Sequence, residues 1–146
     1  MPAAALGNGQ SNVSCTDGTK GSSCGTCKWH WDAPSTQVSE ECSTNVFING
    51  FGAVRKNDKM AAHPDGDPCT SSPINHQPGL SSYSANVFVN GLNVGRVGDK
   101  YNSDGHFSHI ISSGSHNVFI GSGYIYYTTE NNEQVTTQTG DALAKE

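Results

Sequence analysis

The sequence predicts an all-β fold assembled from three copies of one hairpin. Three observations carry this. NVFING at 45–50 returns as NVFVNG at 86–91 and, clipped, as NVFIG at 117–121. The steps are 86 − 45 = 41 and 117 − 86 = 31 residues, the signature of a small unit copied and packed against its copies. Charged residues are only 14% of 146, against roughly 25% in an ordinary globular chain. Ser, Asn, Thr and Gly replace them, a mixture that favours turns and strands over helices. Within a copy the apolar side chains alternate, Val46 and Ile48 one way and Phe47 the other, which is the period of a strand.

Each element follows in order. Residues 7–44 are rich in Gly, Ser, Thr and Cys and read as irregular, with Trp29 and Trp31 beside His30 pinning them to the body. Asn45–Asp58 reads as a hairpin. Its Asn49-Gly50 pair suits a type I′ turn, which needs positive φ at both central residues. Ala53-Val54-Arg55 returns. Residues 59–83 hold Pro64, Pro68, Pro73 and Pro78 and read as a long loop, since Pro at this density excludes helix and central strand. Asn86–Asp99 repeats the hairpin and 100–109 forms another loop. His109–Ser113 and His116–Ile120 are strand-like, and so is Tyr124–Thr129. The third copy lacks the Asn-Gly turn. Residues 130–146 are polar and aperiodic and are expected to lack fixed structure without a partner.

Three hairpins round an axis make a pseudo-threefold object. They can bury Val46, Ile48, Val87, Val89, Val118 and Ile120 together, and the loops between them would meet at one end, with most of the histidines. Such a core is small for this length, and a bound metal near the loops is one standard staple. Arg55 and Asp58 follow the first copy, Arg96 and Asp99 the second. Repetition in equivalent units gives these aspartates a scaffold role, accepting turn N–H groups or pairing with the arginines.

Bulk properties exclude several classes. The net charge is −5 with no Lys/Arg cluster, so no nucleic-acid surface is expected. No apolar run reaches the ~18 residues of a bilayer span. The start has no basic region of a signal peptide, and a soluble chain that bypasses general secretion is expected. Cys15, Cys24, Cys27, Cys42 and Cys69 are an odd number, and metal ligation or free thiols fit better than a disulfide framework.

These motifs resemble the PAAR-repeat family. Met1-Pro2-Ala3-Ala4-Ala5 matches its opening, Asn45–Asp58 and Asn86–Asp99 match its repeated block, and Ser113–Gly121 matches its closing block. Asn57 stands where the block usually has Gly. The resemblance covers roughly residues 1–123. A Cys-rich insertion at about 9–28 and an extension over 124–146 depart from it. The resemblance implies a three-sided β cone with a metal-bound apex. It implies a structural tip and not an enzyme, capping a trimeric β-helical spike protein (VgrG-like, or a phage central spike) and meeting the target-cell envelope. Its expected place is a phage tail tip or baseplate, or a secreted injection particle of the type VI kind, made in the cytoplasm. The short tail, too short for a toxin domain, favours a phage.

The family's metal is usually zinc, held by three His and one Cys, with iron as the alternative. The resemblance places ligands at His30, His63 and His76, and at His106 or His109, leaving Cys15 or Cys69 as the Cys ligand or a substitute for His30. His116 directly precedes a core strand and reads as structural or exposed. Cys24-Gly25-Thr26-Cys27 has zinc-knuckle spacing, so a Cys/His zinc-binding interaction module built on Cys15, Cys24, Cys27 and Cys42 is the first rival. A zinc hydrolase is the second; it needs an open ligand position and a base, and no HExxH is present.

Overall fold

The structure is a computed structural model that describes residues 1–15, 36–65, 74–102, 109–128 and 134–138. His30, His106, Cys24, Cys27, Cys69, Trp29 and Trp31 lie outside the described residues. The described elements are all β: β1 (Asn12–Cys15), β2 (Thr36–Val38), β3 (Phe47–Ile48), β4 (Phe51–Gly52), β5 (His63–Asp65), β6 (Ile74–His76), β7 (Phe88–Val89), β8 (Leu92–Asn93), β9 (Lys100–Tyr101), β10 (His109–Ile111), β11 (Val118–Ile120), β12 (Tyr124–Thr128) and β13 (Gln134–Gln138). Among them no helix is long and apolar enough to cross a membrane.

The three copies form one tier, as hairpins β3–β4, β7–β8 and β11–β12. The first two turn as the sequence requires. Asn49 and Gly50 have φ of 54 and 81°, Asn90 and Gly91 of 54 and 76°. Ile48, Val87, Val89, Val118 and Ile120 bury together, with Val46 packed against them. Each such side chain contributes about 1.5–3 kcal/mol relative to an exposed one.

The second tier is a closed ring of strand segments. The sheet runs β2-β1-β10-β9. From β9 the pairing passes from Tyr101 to Leu80, from Gly79 to Lys59, and from Met60 to Ser39 at the end of β2. Val13, Met60, Leu80, Tyr101 and Ile111 fill the ring. All of these pairings are antiparallel, so strands alternate in direction round the ring. The strand ends leading into 16–35, 66–73 and 103–108 therefore all lie at one end of it.

The N-terminal segment stitches the copies together. Ala3 bridges Phe119, Ala4 bridges Arg96 and Leu6 bridges Ala53, one contact per copy. Ala4 and Ala5 are fully buried, which explains small residues here. Gly114 is needed for the same approach, since a Cβ there would stand 2.4 Å from the Ala4 carbonyl oxygen.

The aspartates act as scaffold. Asp58 accepts from the Arg55 backbone N–H at 2.8 Å and from its Nε at 2.9 Å; Asp99 does the same for Arg96 at 2.8 and 2.9 Å. The residue before each Asp is left-handed, Gly98 at φ 94° and Asn57 at φ 69°. Asn is one of the few side chains that tolerates this, so it can replace Gly.

Three expectations are corrected. The irregular reading of 7–44 gives way to β1 and β2, with Val13 in the core. The long loop at 59–83 is a paired ribbon, β5–β6, and Pro64 sits inside β5. A two-stranded ribbon leaves one edge of each strand unpaired, which is where Pro is tolerated. Within the polar stretch 130–146, Gln134–Gln138 pairs along β12 as β13. Strand pairing runs through the backbone, and the Val-Thr-Thr sequence at its centre favours extended structure without an apolar pattern.

Candidate functional site

Among the described residues, the candidate ligands Cys15, His63, His76 and His109 lie on strands that lead into or out of the segments 16–35, 66–73 and 103–108. His63 and His76 are direct register partners on β5 and β6. Register partners share one face of a ribbon with Cβ atoms about 4.5–5.5 Å apart, a spacing compatible with two ligands of one ion. Cys15 is the register partner of His109, and His109 of Tyr101, in one row across β1, β10 and β9. His109 begins a strand as the sequence predicts, and it is fully buried because it opens β10 two residues before the core residue Ile111. His116 is exposed. The structure thus brings His63 to His76 and Cys15 to His109; His30, His106 and Cys69 belong to the segments 16–35, 103–108 and 66–73, outside the described residues.

Two ionisable groups with raised pKa values belong to or pack against the ring's core cluster. The Tyr101 hydroxyl has no hydrogen-bond partner among the described residues. Burial, reinforced by the charges of Asp58 and Cys42, pushes its pKa well above the ordinary tyrosine value. Cys42 is a free thiol lodged against Gly7 and Gly52, where a Cβ on either glycine would come within 2.5 Å of its Sγ. Burial first, then the Asp58 charge, raises its pKa.

The tier of hairpins is closed by a relay of hydrogen bonds that sequence reasoning missed. Each copy opens with Ser-x-Asn-Val: Ser43, Ser84 and Ser115 stand two residues before Asn45, Asn86 and Asn117. Each serine hydroxyl accepts from the backbone N–H of the following valine, at 2.9, 3.1 and 2.9 Å. The tip of the next hairpin then docks on this turn. Ser43 Oγ donates to Asn90 Oδ1 at 2.6 Å, and Asn90 Nδ2 donates to Asn45 Oδ1 at 2.9 Å. Ser115 Oγ donates to Asn49 Oδ1 at 2.5 Å, and Asn49 Nδ2 to Asn117 Oδ1 at 2.8 Å. Copy two docks on copy one, copy one on copy three, and copy three on copy two through Asn86 and Gly123. The signal was the serine repeated at the same offset in all three copies.

Comparison with known proteins adds partial likenesses. The chain is 34% identical over 93 residues to the NAD(P)(+) glycohydrolase toxin Tse6 of Pseudomonas aeruginosa. It is also 34% identical over 93 residues to the (p)ppApp synthetase toxin Tas1 of another strain of that species. Each match covers 60% of this chain, and the chain spans about a fifth of each relative, 20% and 19%. No family model matches.

Proposed function

We propose that this protein is a structural tip of a contractile injection spike, a PAAR-like cap seated on a trimeric spike protein and stiffened by one bound zinc. The observation that carries the reading is the pseudo-threefold arrangement: three copies relay round an axis, and the strand ends leading into 16–35, 66–73 and 103–108 lie at one end of the ring. A threefold cap suits a threefold partner, because each copy can meet one subunit through an equivalent surface. Imidazole and thiol donors suit zinc. His63, His76, one of His106 and His109, and one of His30, Cys15 and Cys69 would hold it. Zinc supplies a cross-link there, and structural zinc contributes about 10–16 kcal/mol of apparent binding energy to folding.

The relatives support a non-enzymatic role. Their names give two different activities, yet both match this chain at the same identity over the same length. A segment common to proteins of different chemistry fits a task they share better than either reaction.

Metal content per chain tests this, measured on protein purified without added metal, for wild type and for His63→Ala/His76→Ala. One zinc per chain, lost with thermal stability in the double variant, is expected. No metal in the wild type, or metal retained in the variant, overturns the zinc-tipped reading.

A further inference from the structure

The threefold relay changes its bonding at one interface, and the change leaves unused donors. Where copy two docks on copy one, Asn90 Oδ1 accepts twice: from Ser43 Oγ at 2.6 Å and from Arg55 Nη1 at 3.0 Å. Where copy three docks on copy two, the equivalent donors are Ser84 and Arg96. The clipped third copy has no Asn at its turn, only Gly121-Ser122-Gly123. Ser122 Oγ and the Gly123 N–H take the two ends of the Asn86 carboxamide instead, at 3.3 and 2.8 Å. The Ser84 hydroxyl proton and Arg96 Nη1 are left with no acceptor among the described residues.

A cavity of about 290 Å³ opens at this place, lined by Pro2, Ser84, Asn86, Arg96, Ile120 and Ser122 among others, with no acidic side chain in its wall. The Arg96 side chain is 30% exposed, against 18% for Arg55 under its Asn. Arg96 is nonetheless held in place. Its Nε and Nη2 bind Asp99 at 2.9 and 3.0 Å, as Arg55 binds Asp58. Ser84 is fixed by the turn it caps.

We propose that this cavity is a binding site for the oxygen of a carboxamide or carboxylate supplied by another molecule. The first interface shows the complex already made: one planar acceptor oxygen, a serine hydroxyl and the free corner of an arginine. The third interface repeats the donors in a fixed frame, so little side-chain entropy is lost on binding. A single oxygen satisfies both donors, and an arginine bond to a carboxylate is the stronger charge-assisted kind. Because the precedent is an Asn at a hairpin tip, the acceptor suits a side chain on a turn of a docked protein. The site is defined by the repeats and stands independently of metal and spike.

NMR titration of the full chain tests it, with acetamide, acetate and a cyclic hairpin peptide bearing an Asn-Gly turn as probes. Saturable shifts are expected at the Val87 and Gly123 N–H groups and at the Arg96 guanidinium. A response to the peptide at lower concentration than to the small molecules identifies a protein chain as the natural source; an equal response identifies a free acid or amide. Replacing the four residues Gly121–Tyr124, which join Ile120 to its register partner Ile125, by Asn-Gly gives the two-residue turn of the other copies and should weaken every probe by about tenfold or more, as an intramolecular oxygen takes the site. No saturable shift with any probe, shifts confined to residues outside the cavity, or unchanged affinity in a folded Asn-Gly turn variant overturns the proposal.

Discussion

Ser43 Oγ and Asn90 Oδ1 lie 2.6 Å apart although 47 residues separate them in the chain. The bond joins the start of one repeat to the hairpin tip of the next. Asn90 is thus asked for two things at once, a left-handed backbone and a carboxamide that reaches a neighbouring copy.

These two demands can be separated by mutation. Asn90→Gly keeps the positive φ and loses only the bonds between copies. It should cost about 1–3 kcal/mol, since Ser43 and Arg55 both lose an acceptor. Asn90→Ala should cost roughly 1 kcal/mol more, because a Cβ is strained at φ 54°. Urea unfolding of both variants checks this. Equal costs would mean that the relay contributes and the turn does not.

Tyr101 carries a prediction with a pH dependence. Its hydroxyl is buried without a partner among the described residues, so Tyr101→Phe should be neutral or stabilising by about 1 kcal/mol at pH 7. The folded state holds this phenol's pKa above the ordinary value of 10.0, mainly by burial. Unfolded chains therefore lose the proton first as pH rises. The stability is fully present below pH 10 and falls above it. Cys42, raised from 9.0 by burial, starts the same decline about one unit earlier. Thermal melts from pH 7 to 11 should show a shallower alkaline decline in Tyr101→Phe; an identical slope would remove Tyr101 from the account.

Truncation distinguishes the two parts of the C-terminal extension. Ile125 on β12 is 3% exposed and belongs to the core of the hairpin tier, whereas β13 pairs only along the outer edge of β12. A chain ending at Thr128 should stay folded but expose the β12 edge, with Tyr126 and Tyr127, and associate at high concentration. A chain ending at Gly123 should lose about 2–5 kcal/mol, the range for removing a buried Ile side chain. Sedimentation and urea unfolding of the two truncations check this. A monomeric Thr128 chain, or an undestabilised Gly123 chain, contradicts the assignment.

Much of the site was legible in part. The histidines at 63 and 76 stood out by repeat context, and the backbone makes them register partners. Their partnership was hidden because four prolines made residues 59–83 read as a loop. The serines of the relay were visible as letters, but nothing local marks a hydroxyl as facing the hairpin tip of another copy.

By itself the sequence determined the repeating unit: its period-two strands, its Asn-Gly turns and the Arg-to-Asp clasp that ends it. These are local matters, decided by φ preferences and by groups three residues apart. Only the tertiary structure decided which copy docks on which, that the N-terminal segment touches all three, and that His109 faces inward opposite Cys15. It also decided where the threefold pattern fails. The clipped turn of the third copy is plain in the sequence, but its consequence appears only where Ser84 and Arg96 meet a neighbour without an asparagine. Long-range contacts depend on packing and chain closure round the ring, and no single segment carries that information.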